Sequence, residues 1–389
     1  MKHGQEKIRG KIMELVKRKM KTLKAASMEL GISYIQAKRI YKRYQEGGDE
    51  ALVHGSKGKF SNNKTDEWIV KKALDLYKEK YYDFGPTLAQ ETLLEKDNLK
   101  ISLSVLRRAL IDEGLWRKRK KTSEYRSRRT PRAGFGELIQ FDGSNLGSRR
   151  HDWFEDRGPP CCLITMIDDA TKRRLSQFFD EETMFGAMIV LKLWIMRYGI
   201  PESLYCDKKN AFVLTREPTD AELLKGILNP KSHFGRACEK LGIEVIAANS
   251  PQAKGRVERN HGVDQDRLIK ALRLENINTV DEANKYLLEI YLPKMNEKFS
   301  RPARSSDDSH ANLGKLKLDD ILSMEFERRI SRDFIVRFQS RLFQILETNK
   351  PRPRTEDKVI VRVKLDNSVH IIWKDKTLQV KEIPTMFDP

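Results

Sequence analysis

Four cysteines in 389 residues leave little material for a disulfide framework, and two of them, Cys161 and Cys162, are adjacent. No Cys-x-x-Cys pair occurs, and the seven histidines fall at no zinc-finger spacing. Long apolar runs are missing too. The opening MKHGQEKIRGK lacks the apolar centre of a signal peptide. The longest apolar stretch, residues 184–200, is interrupted by Lys192 and Arg197 and cannot span a bilayer. These absences predict a reducing, soluble, intracellular protein with no membrane partner. Negative charge is the other shortage: 56 Asp and Glu stand against 75 Lys and Arg, a net +19. A surplus of that size concentrates phosphate and points to a polyanionic partner. With 39% hydrophobic and 34% charged residues, real cores can form beneath a charged surface, so disorder is not the main state. At about 150 residues per domain, the length predicts two or three domains.

Residues 1–60 read as short helices around a marked turn. Leu23, Ala26, Leu30, Ile32, Ala37 and Ile40 take helical spacing on either side of Gly31-Ile32-Ser33. Ser33 and Gln36 form a capping box that starts a new helix. Helix, glycine turn, capped helix is the helix-turn-helix pattern. The second helix, residues 34–45, carries Gln36, Lys38, Arg39, Lys42 and Arg43. Gln36, Arg39, Lys42 and Arg43 are candidate DNA contacts, of the types that reach base edges and phosphates in a major groove. An ordinary helical hairpin with a solvated basic face is the plainer alternative, and the overall charge decides for DNA.

A second helix-turn-helix-like unit is predicted over residues 61–116. Thr87 and Gln90 suggest another capping box, and residues 101–116 carry the stripe Leu103, Leu106, Ala109, Leu110 and Leu115. Ser102 reads as the N-cap, Gly114 as the stop, and Arg107 and Arg108 as exposed DNA contacts. Residues 117–132, RKRKKTSEYRSRRTPR, hold nine Lys or Arg against the single Glu124. Joined to DNA-reading units, this run reads as a phosphate-tracking arm, with Arg117, Lys118 and Arg119 as contacts.

From residue 133 to 300 the pattern alternates between strands and helices. GELIQFDGS, CCLITMIDD and RRLSQFF read as three strands, then residues 184–198 as an apolar helix and SLYCD as a fourth strand. A helix over residues 234–241, the strand IEVIAANS and a long helix over residues 252–274 follow. That order predicts a ribonuclease-H-like mixed α/β sheet flanked by helices. Thr279 and Glu282 cap one more helix. Residues 301–325 read as a polar linker, and residues 326–389 as a small β-barrel with a hairpin at Asp366-Asn367.

Asp142 ends the first strand, Asp207 ends the fourth, and Glu258 sits early in the helix after the fifth. Strand ends in such a sheet share one rim, where catalytic groups gather. Three carboxylates without His or Cys make a hard oxygen site suited to two Mg²⁺ or Mn²⁺ ions. Such a pair can activate a hydroxyl and stabilise the leaving oxygen of a phosphodiester.

At these residues the sequence resembles the DDE transposase and retroviral integrase superfamily, and within it the ISNCY-type bacterial insertion-sequence transposases. The stretches that carry the likeness are IQFDGS, HDWFEDRGPPCCLITMIDDATKR, SLYCDKKNAF and ANSPQAKGRVERNHGVDQDRLIKALRL. The resemblance implies that Asp142, Asp207 and Glu258 are a catalytic triad binding two divalent ions. It also implies cleavage at element ends and strand transfer from a freed 3′-hydroxyl. The partners implied are double-stranded DNA, both terminal inverted repeats and target, and further copies of the chain in a homo-oligomer. The implied location is the bacterial cytoplasm, at the nucleoid through DNA.

The sequence departs from retroviral integrases in two ways. Asp207 and Glu258 lie 51 residues apart, a wider spacing, with REPTDAELLKGILNPKSH as an inserted loop. No His/His/Cys/Cys zinc module precedes the core, so the helix-turn-helix units take over end binding. Asp168 and Asp169 read as turn residues, with Asp169 the first substitute for a triad member. Lys254, one turn before Glu258, reads as a phosphate contact, while His261 stays even between a structural and a site role. Trp153 reads as a packing anchor, and the four cysteines as small buried hydrophobes. Two other functions stay open: a DNA-binding regulator that lost catalysis, and a plain ribonuclease-H-like nuclease.

Overall fold

The computed structural model describes residues 2–53, 64–118, 130–144, 153–206, 219, 223, 230–247 and 255–384. The chain divides into two compact units, Met1–Lys120 and Lys121–Pro389. In the first, α1 (Lys2–Lys17), α2 (Leu23–Glu29) and α3 (Tyr34–Gly47) close around Ile12, Met13, Val16, Ala26, Ile40 and Tyr44. The Thr22 and Ser33 hydroxyls each accept a backbone N–H, from Ala25 and Gln36, at 3.2 Å and so start α2 and α3. Gly31 between them takes φ +62°, a conformation that favours glycine. The Tyr44 hydroxyl donates to the Glu14 carboxylate at 2.7 Å and ties α3 to α1. That bond pushes the Tyr44 hydroxyl up to about 12.

Helices α4 (Glu67–Lys80), α5 (Pro86–Asp97) and α6 (Leu103–Asp112) follow, with Tyr77, Tyr81, Phe84, Leu93, Leu106 and Leu110 buried. Ser102 caps α6 through the Val105 N–H at 3.4 Å, and Gly114 leaves it at φ +72°. The capping box expected at Thr87 and Gln90 does not form. Helix α5 instead begins at Pro86 behind Gly85, so Thr87 already lies inside it. Proline suits the first helical position because it has no N–H to leave unpaired.

The second unit is built on one mixed sheet. Strands β1 (Ile139–Ser144), β2 (Cys162–Asp168) and β3 (Arg174–Phe179) lead into α7 (Met184–Tyr198) and β4 (Ser203–Cys206). Helix α8 (His233–Lys240), β5 (Glu244–Ala247) and α9 (Gly255–Leu274) complete it. The strand order is β3-β2-β1-β4-β5, with β1, β2 and β3 antiparallel and β4 and β5 parallel to β1. The succession along the chain, three strands, helix, strand, helix, strand and helix, is the one the sequence pattern predicts.

Strand β2 is buried along its whole length, which explains its unbroken apolar run. Ile164 and Met166 face one core with Ile139, Phe141, Trp194 and Phe234. Leu163 faces the other with Trp153, Phe178, Leu268, Leu287 and Tyr291. The helix after Thr279 is not uniform: α10 (Val280–Tyr286) and α11 (Leu292–Phe299) flank a π-helical turn, Leu287–Tyr291. Pro293 follows that turn, and it cannot donate the bond to the Glu289 carbonyl that a regular helix would make.

Residues 301–311 run along the core rather than away from it. Arg301 N donates to Thr171 O at 2.9 Å, Ser309 N to Phe135 O at 2.8 Å, and Ile200 and Ala311 exchange bonds of 2.9 and 2.8 Å. A short α12 (Leu318–Ile321) leads into β6 (Ser323–Arg329), β7 (Ile335–Phe338), β8 (Arg341–Ile345) and β9 (Lys358–Lys364). Then come β10 (Val369–Trp373), β11 (Lys376–Thr377) and β12 (Val380–Ile383). Asn367, at φ +63°, turns the expected hairpin between β9 and β10.

Among the described residues these strands form two sheets, β11-β10-β9-β6 and β12-β8-β7, and not one closed barrel. Val336, Phe338, Phe343, Val361, Ile371 and Trp373 fill the core they share. Alternation in sequence fixes which side chains face inward, but not whether the outer strands pair with one another. No described helix is long and apolar enough to cross a membrane.

Candidate active site

Period-two alternation sorts the IQFDGS strand into two faces. Ile139 and Phe141 are buried in the core under α7 and α8. Gln140 and Asp142 therefore project to the opposite face, where α9 packs. Gln140 is buried, and its amide bridges two elements. Its Oε1 accepts the Val257 N–H at 3.2 Å, and its Nε2 donates to Asp169 Oδ1 at 3.0 Å. Val257 lies in the first turn of α9, where N–H groups have no partner within the helix. Strand β1 supplies that partner, so the turn carrying Glu258 is fastened two residues short of Asp142.

Glu258 itself is exposed, and among the described residues no hydrogen bond or ion pair engages its carboxylate. Asp142 is half-buried and stands opposite Thr165 of β2. Asp207 lies outside the described residues. Strand β4 ends at its chain neighbour Cys206 and pairs parallel with β1 in the register Gln140↔Tyr205. Among the described residues, no group of three or more His, Cys, Asp or Glu side chains is placed to hold a metal. Asp142 and Glu258 are hard oxygen donors, while Cys206 and Cys238 are buried in the core under α7 and α8. That donor chemistry fits magnesium or manganese and not zinc.

Glu182 is a further carboxylate at this strand end that the sequence pattern did not single out. Its side chain rests on Gly143, where an added Cβ would come within 2.5 Å of the Glu182 carboxyl carbon. Only glycine beside Asp142 allows that approach.

A buried polar cluster holds α9 from the far side. Arg174, at the start of β3, pairs with Asp264 at 3.0 Å and donates to Asn260. Asp264 also accepts from Asn260 Nδ2 and from the Tyr291 hydroxyl, each at 2.8 Å. Burial pushes the Asp264 carboxyl above the usual range, against the pull of Arg174. The π-helical turn ends at Tyr291 and so places that hydroxyl.

Asp168 accepts from the Gly136 N–H at 3.0 Å and from both the N–H and hydroxyl of Thr171. Asp169 accepts from Gln140 and from the Arg132 N–H at 2.8 Å. Asp168 ends β2 and Asp169 begins the turn after it, and both carboxylates are engaged there. Trp153 is fully buried against Phe178 at 5.3 Å, and the four cysteines are buried and unbridged. His261 is buried as well.

In the first unit, Gln36, Arg39, Lys42 and Arg43 are all exposed on α3, and Arg107 and Arg108 on α6. Arg117 and Lys118 are exposed, whereas Arg119 and Lys254 lie outside the described residues.

Residues 8–60 match the helix-turn-helix domain family. Over 360 residues the chain is 36% identical to "Putative transposase y4bF" of Sinorhizobium fredii, covering 92% of this chain and 76% of that protein. The chain belongs to the transposase family. A second relative, the transposase for insertion sequence IS1202 of Streptococcus pneumoniae, is 28% identical over 411 aligned positions, covering 96% of the chain and 85% of that protein. Among solved structures, the catalytic core of HTLV-2 integrase in complex with magnesium aligns at 18% identity and a TM-score of 0.29, over 40% of this chain and 86% of its own. This transposase thus carries a helix-turn-helix DNA-binding domain ahead of the mixed sheet.

Proposed function

We propose that the transposase binds the terminal inverted repeats of its insertion sequence, cleaves the 3′ ends, and joins them to target DNA. The observation that carries the reading is the Val257–Gln140 hydrogen bond, which fastens the helix bearing Glu258 to the strand bearing Asp142 on one face. Asp142, Asp207 and Glu258 are the residues that would hold two Mg²⁺ or Mn²⁺ ions. When bound, such a pair activates the attacking water or 3′-hydroxyl and stabilises the leaving oxygen.

The chain's own residues do the positioning. Gln36, Arg39, Lys42 and Arg43 on α3, with Arg107 and Arg108 on α6, select and hold the DNA end. Arg117, Lys118 and Arg119 neutralise phosphates along the run to the core, and Lys254 does the same beside Glu258. Pairing two ends requires more than one copy, so the working form is a homo-oligomer in the bacterial cytoplasm, at the nucleoid. The two C-terminal sheets contact DNA or a partner subunit during that assembly.

The deciding experiment incubates labelled element-end DNA with the protein and Mg²⁺ or Mn²⁺. Asp142→Asn, Asp207→Asn and Glu258→Gln should each abolish the nick while sparing binding, because each keeps shape and removes the charge that holds an ion. Substantial cleavage by any of the three removes that residue from the triad.

A further inference from the structure

Ala37, Ile40 and Tyr44 are the buried residues of α3, and they define its inner face. At 100° per residue, the centre of the opposite face falls on Ile35, flanked by Lys38, Arg39 and Lys42. Ile35 is 65% exposed, and Tyr34 beside it is 53% exposed. Single exposed apolar residues are ordinary on a protein surface. This one stands in the first turn of the second helix of a helix-turn-helix, on a face that carries Lys38, Arg39 and Lys42, with Glu46 three turns further on and 3.9 Å from Lys42. Its position is also rigid. Ser33 caps the turn, and Tyr44 bonds to Glu14 from the buried side.

We propose that Ile35 is a specificity-determining residue that packs against the C5-methyl group of thymine in the major groove of the element's end. The inference rests on the reading that the helix-turn-helix unit binds those ends. The surrounding cations fit a polyanion and exclude an apolar protein partner as the occupant. Along the major-groove edge of a base pair, the thymine methyl is the distinctive apolar group; the other positions present donors and acceptors. An isoleucine centred between Lys38, Arg39 and Lys42 therefore reads a methyl while its neighbours take phosphates and polar base edges. Tyr34, at the rim of the same face, excludes water from that contact.

The test uses the full-length protein and a duplex carrying the terminal inverted repeat. Thymines are replaced one at a time by deoxyuridine, which removes only the methyl. One or two positions should weaken wild-type binding about four-fold each, the loss that corresponds to one buried methyl group. Ile35→Ala should weaken binding to the intact end to a similar degree and be indifferent to deoxyuridine at those same positions. Its melting temperature and salt slope should match the wild type, since the residue is exposed and uncharged. Wild-type tolerance of every deoxyuridine, a footprint without thymine, or an Ile35→Ala protein that keeps the wild-type sensitivity would each overturn the proposal. End preference retained with no deoxyuridine effect removes Ile35 alone. Equal affinity for the end and a scrambled duplex removes the end-binding reading and Ile35 with it.

Discussion

Replacing Gln140 by leucine keeps most of the side-chain volume and removes both hydrogen bonds of the bridge between β1 and α9. The Val257 N–H then loses its 3.2 Å acceptor, and Asp169 Oδ1 loses its 3.0 Å donor. Leaving a buried polar group unpaired costs about 1–3 kcal/mol, so two such losses together are bounded at about 2–6 kcal/mol. Asp169 keeps its bond from the Arg132 N–H, which argues for the lower half of that range. Equilibrium unfolding in urea reads the stability loss directly. Hydrogen exchange over residues 255–260 locates it, because the Val257 amide should lose protection beyond what the global change explains. In cleavage of labelled end DNA, the variant should need several-fold more Mg²⁺ for half-maximal activity, while its rate at saturating Mg²⁺ falls less. A stability loss below about 1 kcal/mol with Val257 protection intact would mean that the bridge does not fasten α9, and the positioning argument would collapse.

Two further substitutions test other parts of the unit. Glu137 accepts from the Ala133 and Gly134 N–H groups at 3.0 and 3.1 Å and pairs with Arg132, and the Gly134 bond leads in holding its carboxyl below its ordinary value of 4.5. A depressed folded value contributes stability above the unfolded value, and that contribution is lost as pH falls through the folded one. Glu137→Gln should therefore melt below the wild type at pH 7, with the gap starting to close below about pH 4.5; a gap constant down to pH 3 would contradict this. Asp264→Leu should cost about 3–5 kcal/mol by stranding the buried Arg174 charge, and adding Arg174→Met should recover part of it. No recovery in the double variant would show that packing, and not the uncompensated charge, sets the cost.

Elements whose local chemistry agrees with their tertiary setting were legible in the chain. The alternation of Ile139 and Phe141 with Gln140 and Asp142 marked a strand with two different faces. Hydroxyls at Ser33, Ser102 and Thr279 marked helix starts that the structure reproduces. At Thr87 the same signal misled, because the neighbouring Pro86 is a stronger start. Strand β6 escaped notice, since SMEFERR mixes apolar and charged residues and is defined by its pairing with β9. The bridge by Gln140 was invisible for a similar reason: its two partners lie 29 and 117 residues away. Ile35 was visible in principle, as the apolar residue off the stripe of Ala37 and Ile40. Sequence spacing alone does not show that tertiary packing leaves this position uncovered.

The joint between α8 and the C-terminal sheets has a mechanical meaning. Glu325 of β6 receives Arg236 of α8 at 2.8 Å and Arg362 of β9 at 2.9 Å, and its backbone N–H donates to His233 at 3.3 Å. Glu325 is largely shielded from water and clasped from both sides, so it acts as a rivet and not as a hinge pin. A pull on strands β6 or β9 is therefore delivered to α8, the helix that feeds directly into β5 of the sheet. Whatever grips the tail has its hand on the scaffold that carries the candidate active site.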